Sequence, residues 1–311
     1  MIECFHLNET AHPIMSKPIQ NQSLTLKNTF TYITVLCASF LLLNPNAFAI
    51  NSELLVQPSQ LQSNKTHNTV ILDVRSLNKY QEGHIPGAVH LDVNTTFNTN
   101  FPDKVGSVRQ IEALFQAAGI NHSMTIIAYD DGEFINAGRM FWVLELFGLK
   151  KVAVLDGGLP LWRKKGFSIS TMIEKPSPST YRAAINSKIL GTKQDAHIAA
   201  LKQTSVLLDG RAQGMYDAEH IPSSINIPWN QNYDSSNDIN TLKSPENLSQ
   251  IYSDLPQDKN IMTYCHKGKQ SSFSYFVLRY LGHDAIHYDG SWYEWKQDPR
   301  LPKTNNNAAM N

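Results

Sequence analysis

This sequence has no excess of basic residues. The 311 residues include 27 Lys and Arg and 27 Asp and Glu, so the formal net charge is zero. A protein that binds nucleic acid by neutralising phosphates usually carries a basic excess, and we therefore expect no nucleic-acid partner. The glycine fingerprint of dinucleotide-binding proteins and the phosphate-binding P-loop are absent as well. These absences give no support for nucleotide cofactors, and we expect that no cofactor is needed.

The apolar run near the N-terminus is too short for a typical membrane span. Thr31–Leu43 holds about 13 residues, against the roughly 20 that cross a bilayer. Two lysines and no acidic residue lie between Met15 and this run, and an Ala-Phe-Ala step ends at Ala49. This order predicts a signal peptide over residues 1–49, with translation starting at Met1 or Met15. We expect an exported protein, periplasmic or secreted, with no membrane association after cleavage, and an uncleaved anchor is the less favoured alternative.

Cysteine is also scarce, and its positions matter more than its number. The three cysteines are Cys4, Cys37 and Cys265, and cleavage after Ala49 would remove the first two. Cys265 then has no partner for an internal disulfide, so it is either an inert buried residue or a reactive thiol. A metal site is not expected, because a single Cys265-His266 step lacks the paired spacing of zinc ligands.

The remaining chain contains the same pattern twice. Residues 72–93 (LDVRSLNKYQEGHIPGAVHLDV) and 208–229 (LDGRAQGMYDAEHIPSSINIPW) share an Asp-x-Arg step and a His-Ile-Pro step in register. Residues 125–130 (TIIAYD) match residues 260–265 (NIMTYC), and an Asp-Gly step followed by Trp recurs near the end of each half. Ordered matches at a nearly constant offset predict the duplication of a unit of about 130 residues.

Each half alternates short β-branched runs with helical patterns. Residues 70–72 and 126–128 are examples of the runs, and residues 108–118 and 137–146 show helical spacing. The alternation predicts βαβ units and an α/β fold, with a parallel sheet covered on both faces in each half. The predicted boundaries are 50–173 for the first domain, 174–180 for a linker, 181–302 for the second domain and 303–311 for a disordered tail.

Residues that occur in both halves are predicted to be structural, because residues that serve the chemistry need occur only once. They are Asp73, Arg75, His84 and Trp162 in the first half, and Asp209, Arg211, His220 and Trp295 in the second. Arg139 lies near the start of a predicted helix in the first half and could face the interface between the halves. A direct role for it is not favoured.

Cys265 opens a loop with a basic character. The strand pattern over 261–264 ends at this cysteine, and a helical pattern begins near Ser271. In open parallel sheets, ligands bind at the carboxyl ends of the strands. Loop amides and the following helix N-terminus form an anion site, and Lys267 and Lys269 add positive charge. Such surroundings favour the thiolate form of a cysteine.

This loop is the predicted site. Cys265 is the predicted nucleophile, and the predicted substrate-binding residues are His266, Lys267, Gly268, Lys269, Gln270 and Ser271. Gly268 suits a backbone that folds around a small anion, and His266 is predicted to be a solvated cation beside the loop. An inert core thiol is the less favoured alternative, because two nearby lysines are poor neighbours for one.

These motifs in combination resemble the tandem rhodanese family of thiosulfate and 3-mercaptopyruvate sulfurtransferases. The resemblance extends from about Leu54 to Leu301 and rests on DVRSLNKYQEGHIPGA, LDGGLPLW, the six-residue loop opened by Cys265, and YDGSWYEW. It implies two domains, each a parallel sheet of about five strands flanked by helices, with a nucleophile in the second domain only. Asp130 occupies the matching position in the first half, which agrees with an inactive first domain.

The resemblance also implies a reaction. Basic residues after the cysteine are typical of the thiosulfate enzymes, whereas small neutral residues are typical of the mercaptopyruvate enzymes. The run from Cys265 to Lys269 therefore favours thiosulfate as the donor, with sulfur passing through a Cys265 persulfide to cyanide or a thiol. The expected partners are these small molecules, and the sequence leaves the oligomeric state open.

One departure from the family pattern leaves alternatives open. Met215 stands where many family members carry an arginine that helps to hold the donor. The alternatives are a 3-mercaptopyruvate sulfurtransferase, and an exported rhodanese-like module that carries a persulfide or binds a partner without turning over small donors.

Overall fold

The described part of the chain covers most of the sequence after the predicted signal peptide. The computed structural model describes residues 49–64, 66, 68–101, 103–256 and 258–305. The predicted signal peptide up to residue 48, with Cys4 and Cys37, and residues 306–311 of the predicted tail lie outside the described residues. None of the helices within these ranges has the length and hydropathy of a membrane-spanning segment.

The first half forms one parallel sheet flanked by helices. Its strands are β1 (Leu55–Val56), β2 (Thr69–Asp73), β3 (Ala88–His90), β4 (Thr125–Tyr129) and β5 (Val152–Leu155). Their order in the sheet is β1-β5-β4-β2-β3. The helices are α1 (Pro58–Ser63), α2 (Leu77–Glu82), α3 (Val108–Ala117), α4 (Ile135–Leu146) and α5 (Gly158–Lys164), with 3-10 helices at Ser52–Leu54 and Val93–Thr96.

The second half repeats this arrangement. Its strands are β6 (Leu190–Gly191), β7 (Val206–Asp209), β8 (Ser224–Asn226), β11 (Ile261–Tyr264) and β12 (Ala285–Tyr288), and a small hairpin adds β9 (Tyr233–Asp234) and β10 (Thr241–Leu242). The order in the sheet is β6-β12-β11-β7-β8. The helices are α6 (Lys193–Lys202), α7 (Gln213–Ala218), α8 (Pro245–Ile251), α9 (Lys269–Tyr280) and α10 (Ser291–Lys296), with 3-10 helices at Ser187–Ile189 and Trp229–Asn232.

The predicted duplicated α/β fold is confirmed. All strand pairs in the two five-stranded sheets are parallel. The central strands β4 and β11 are almost wholly buried, as expected for apolar strands covered on both faces. Asp73 pairs with Tyr129 in the first sheet and Asp209 with Tyr264 in the second, so the two halves also share their register.

The residues that recur in both halves make the same contacts twice. Arg75 forms a buried ion pair of 2.6 Å with Asp73, and Arg211 forms one of 2.6 Å with Asp209. Each guanidinium also donates to a backbone carbonyl further along the chain. Both repeated tryptophans are fully buried. These contacts agree with the predicted structural role.

The segments at the domain ends are more ordered than their composition suggests. In the predicted linker, the Ser179 N–H donates to the Gln116 carbonyl at 2.9 Å, and Tyr181 just after it is buried. Thr304, in the predicted tail, exchanges backbone hydrogen bonds of 2.9 and 3.0 Å with His220. The predicted linker therefore packs on the first half, and the first tail residues close the second.

The two halves pack through α4 and α9, the helices that follow the central strands. The Phe134 ring stacks on the Phe273 ring with 5.1 Å between centroids. A Cβ atom on Gly138 would lie 2.8 Å from the Phe273 Cα, so only glycine permits this approach. Near the other end, the Tyr275 hydroxyl donates to Glu145 at 2.5 Å. This packing places the start of α9, and the loop before it, against the first half.

Candidate active site

Cys265 directly follows β11, the central strand of the second sheet. It is a free thiol, and 1% of its surface is exposed. Its backbone N–H donates to the Ser291 hydroxyl at 3.2 Å, and its carbonyl accepts from the Trp292 N–H at 2.9 Å. The start of α10 therefore fixes the cysteine backbone at the carboxyl end of a parallel strand.

Cys265 lines a cavity of about 600 Å³ that both halves enclose. The lining residues are Asn94, Phe97 and Ile135 from the first half, and Cys265, His266, Lys267, Lys269 and Gln270 from the second. Four of the six predicted substrate-binding residues thus lie along the cavity. The remaining two, Gly268 and Ser271, are buried and support the loop from behind.

Gly268 is the turning point between the cysteine and α9. Its φ of 80° is in the left-handed region, and a Cβ atom there would lie 2.7 Å from the Asp289 carbonyl oxygen. Both constraints require glycine. The helix begins at Lys269, two residues before the predicted start near Ser271, because the left-handed residue caps it there. The loop is therefore tighter than the sequence pattern indicates.

His287 on β12 holds the back of this loop. Its Nε2 lies 2.9 Å from the Gly268 carbonyl oxygen and 3.1 Å from the Ser271 hydroxyl. Since a carbonyl can only accept, Nε2 carries the proton. Burial lowers the pKa of His287 to about 3, so the imidazole is neutral at neutral pH. The Thr263 hydroxyl donates to the Ser271 carbonyl at 3.0 Å, which adds a second support.

Lys267 and His266 lie at the outer side of the cavity. Lys267 is exposed, and its Nζ lies 4.6 Å from the centre of the Tyr293 ring. Burial, followed by the charges of Lys296 and Lys267, lowers the pKa of His266. This lowered pKa disfavours the cationic form in which His266 was predicted.

Lys269 connects the loop to the first half. Its Nζ donates to the Asn94 side-chain oxygen at 2.8 Å and to that of Asn136 at 3.3 Å. Burial, followed by the positive charge of Arg139, lowers the pKa of Lys269. The ammonium group is thus a half-buried donor on the cavity wall, held in place by two neutral amides.

Sequence reasoning missed the residues that the first half contributes. Ile135 lines the cavity, and it follows Asp130, so a comparison of the two repeated loops could have found it. Asn94 and Phe97 lie in and just after a 3-10 helix of the first half and carry no recognisable signal. They reach Cys265 only because the halves pack against each other.

Met215 is not among the lining residues of the Cys265 cavity that the structure describes. It lies on α7 and is 46% exposed. The departure from the family pattern therefore leaves the cavity wall itself unchanged.

Comparison with known proteins agrees with the duplication. The rhodanese-like domain family matches the chain twice, over residues 57–165 and 193–298. A proposed thiosulfate sulfurtransferase of Mycolicibacterium smegmatis is 31% identical over 267 residues, covering 78% of this chain and 95% of that protein. A sulfur carrier protein of Thermus thermophilus is 31% identical over 240 residues, covering 70% and 83%.

A solved structure shows the same fold. The crystal structure of a 3-mercaptopyruvate sulfurtransferase from Escherichia coli is similar, with a TM-score of 0.71 and 24% sequence identity. The match covers 77% of this chain and 98% of that one, so it includes both halves. From the repeated sheets, the cysteine loop and these similarities, we conclude that the chain belongs to the tandem-domain rhodanese family.

Proposed function

We propose that this protein is a sulfurtransferase that moves the outer sulfur of thiosulfate to cyanide or a thiol. The observation that carries the proposal is the position of Cys265 on the wall of a cavity of about 600 Å³, beside the start of α9 and two lysines. The cysteine sulfur itself carries the transferred atom, so the proposed reaction requires no cofactor or metal.

In the first step the Cys265 thiolate attacks the outer sulfur of thiosulfate. A new S–S bond forms to Sγ while the S–S bond of thiosulfate breaks. The electron pair of the broken bond leaves with sulfite, and a cysteine persulfide remains on the protein. The step is balanced without an external oxidant or reductant.

In the second step cyanide attacks the terminal sulfur of the persulfide. A C–S bond forms, the persulfide S–S bond breaks, and its electron pair returns to Sγ as the thiolate. Thiocyanate then leaves. A thiolate acceptor follows the same course and departs as a persulfide. The covalent intermediate divides the overall transfer into two displacements.

The site is suited to the negative charge present in both steps. The N–H groups in the first turn of α9 have no acceptors within the helix, and a helix N-terminus attracts anions. Lys267 and Lys269 add positive charge along the cavity. We expect them to orient the dianionic donor, because charged groups in a cleft guide and hold a substrate of opposite charge.

The test is thiocyanate production from thiosulfate and cyanide, with Cys265→Ser as the matched control. We expect turnover by the natural chain and only the background rate from the variant. Iodoacetamide should also label Cys265 in the unliganded protein and block turnover. Equal turnover by the two proteins, or a thiol that the reagent cannot reach, would refute the proposal.

The donor is distinguished by steady-state kinetics with thiosulfate and 3-mercaptopyruvate. We expect a higher kcat/KM with thiosulfate, because its two charges match the two lysines that line the cavity. Lys267→Met should raise the KM for thiosulfate more than that for the singly charged mercaptopyruvate. A higher kcat/KM with mercaptopyruvate in the natural chain would assign the alternative activity instead.

A persulfide carrier without small-donor turnover is the second candidate. Met215 in place of the arginine common in the family favours it, as does the similarity to the Thermus thermophilus carrier protein. Intact mass after incubation with thiosulfate separates the two functions. A stable gain of one sulfur atom with no thiocyanate would favour the carrier.

We also propose that the protein is exported. The support is the order of a lysine-bearing start, a short apolar run and an Ala-Phe-Ala step before Ile50. Sequencing the N-terminus of the protein from the periplasmic or extracellular fraction should find Ile50 as its first residue. Recovery from the cytoplasm with the segment before Ile50 intact would contradict this.

A further inference from the structure

We propose that Arg139, contributed by the first half, is a positioning residue that holds the Cys265 loop in its reactive shape. The inference rests on the sulfur transfer proposed above and gives the half without a nucleophile a part in shaping the site. Arg139 lies on α4 and is outside the lining of the cavity. It acts through Asp289, which follows β12, and through Gly268.

Arg139 is completely buried and held on several sides. Its Nη1 donates to the Asp289 carboxylate. The guanidinium lies 4.5 Å from the centre of the Phe97 ring and 4.6 Å from that of Trp142. A planar guanidinium can stack on aromatic rings and donate hydrogen bonds at the same time, which an ammonium group cannot do. Since Phe97 also lines the cavity, Arg139 lies directly behind one cavity wall.

Asp289 connects this arginine to the catalytic loop. One carboxylate oxygen binds Arg139, and the other accepts the Val105 N–H of the first half at 2.6 Å. Gly268 packs on this arrangement, because a Cβ atom there would lie 2.7 Å from the Asp289 carbonyl oxygen and 3.4 Å from the Arg139 Nη1. The guanidinium therefore lies under the turn that joins Cys265 to α9.

Arg279, which also crosses the interface, has one buried donor without a hydrogen-bond partner among the described residues, whereas Arg139 has two. Among the described residues, the Nε and Nη2 of Arg139 have no hydrogen-bond partner although both are buried. Burying a cation with unused donors is costly, and structural arginines normally have their donors satisfied. The positive charge of Arg139 acts on two residues at the loop, because it contributes to lowering the pKa of Lys269 and of His287. This placement suits a loop that must hold an anionic sulfur.

The internal repeat provides an independent argument. Asp156 is the counterpart of Asp289 in the first half, and it too accepts a backbone N–H across the interface, that of Leu242 at 2.8 Å. Its other oxygen accepts from a neutral amide side chain instead of an arginine. When α4 and α9 are aligned on their first residues, Phe273 takes the place of Arg139. The arginine is therefore present only where it supports the cysteine.

The test follows the rate of Cys265 alkylation by iodoacetamide against pH, together with thiosulfate kinetics. In Arg139→Gln we expect the midpoint of the rate–pH profile to rise by about one unit and kcat to fall about tenfold or more, with a smaller change in KM. The matched control is Arg279→Gln. Arg279 also crosses the interface, to Glu145 at 3.3 Å, but does not touch the loop. We expect this control to keep the natural profile and kcat.

Arg139→Lys tests rescue by a residue that keeps the charge. We expect its profile and kcat to lie between those of the natural chain and Arg139→Gln, because lysine cannot both stack and hold Asp289. The proposal would be overturned if circular dichroism shows that Arg139→Gln is folded and if its alkylation profile and kcat match those of Arg279→Gln. If Arg139→Gln does not fold, Arg139→Lys is the deciding variant. An alkylation profile and kcat in Arg139→Lys equal to those of the natural chain would then overturn the proposal.

The alkylation measurement does not depend on turnover. A natural chain that makes no thiocyanate would refute the proposed function, while the shift of the alkylation profile would still report on Arg139. The two failures are therefore distinguishable.

Discussion

The loops that follow the two central strands differ in what fills them. Asp130 follows β4, and Cys265 follows β11 at the matching position. The carboxyl oxygens of Asp130 accept hydrogen bonds of 2.8 to 3.3 Å from four backbone N–H groups of its own loop and helix start: Gly132, Phe134, Asn136 and Ala137. The first half thus fills its anion site with its own side chain.

The second loop reaches its helix one residue sooner, at Lys269, and has no carboxyl group at this place. The Cys265 carbonyl accepts from Trp292 at 2.9 Å, as the Asp130 carbonyl accepts from Leu159 at 3.0 Å. A cysteine has no carboxyl oxygen that could accept hydrogen bonds from the backbone N–H groups, so those at the start of α9 remain available to an anion. The matching place is therefore occupied by a carboxyl group in the first half and holds a thiol in the second.

Gly268→Ala should have the largest effect, on the second loop. The added Cβ would have to occupy a left-handed position 2.7 Å from the Asp289 carbonyl oxygen, so the loop must move. We expect kcat for thiosulfate to fall about a hundredfold. Gly214→Ala is the control, because a Cβ there meets nothing within 4 Å, and its kcat should stay within about twofold. Equal kcat values for the two variants would contradict a role for the loop shape.

Asp130→Ala tests the first loop. The substitution leaves four buried N–H groups without their acceptor, and we expect the free energy of unfolding in urea to fall by about 2–4 kcal/mol. Asp131→Ala is the control. Asp131 is partly exposed and pairs with Lys79 at 2.5 Å and with Arg75 at 3.3 Å. Because Arg75 keeps its ion pair with Asp73, the loss of Asp131 should cost less than about 1 kcal/mol. If both variants lose the same stability, the amides do not depend on Asp130.

The smallest effect concerns His287, whose counterpart in the first half is the non-titrating Val154. Burial lowers the pKa of His287 to about 3, from about 6.5 when unfolded. Between these two pKa values the folded chain binds fewer protons than the unfolded chain. The contribution of His287 to the free energy of unfolding is therefore fully present above pH 6.5 and is lost as the pH falls. From pH 7 to 5, urea unfolding should show about 2 kcal/mol more loss in the natural chain than in His287→Gln. Identical losses would contradict a buried neutral imidazole.

The sequence predicted the fold and the place of the Cys265 loop between a strand and a helix because both depend on local patterns. Alternating β-branched runs and helical spacing indicate a parallel sheet, and the repeat indicates two of them. The lowered pKa of His266 could not be predicted from the run Cys265 to Lys269, because it depends on burial and on neighbouring cations. The pairing of Thr304 could not be predicted from the sequence because its bridge partner, His220, lies far away along the chain.

By itself, the sequence determined that two similar α/β units exist and that only one of them carries a thiol at the end of its central strand. Chain order and side-chain type are sufficient for this, since each strand ends and each helix begins according to neighbouring residues. The tertiary structure alone decided that Asn94 and Phe97 complete the cavity and that Arg139 lies under the loop. Those contacts join residues of different halves, and they exist only because α4 and α9 pack closely at Gly138.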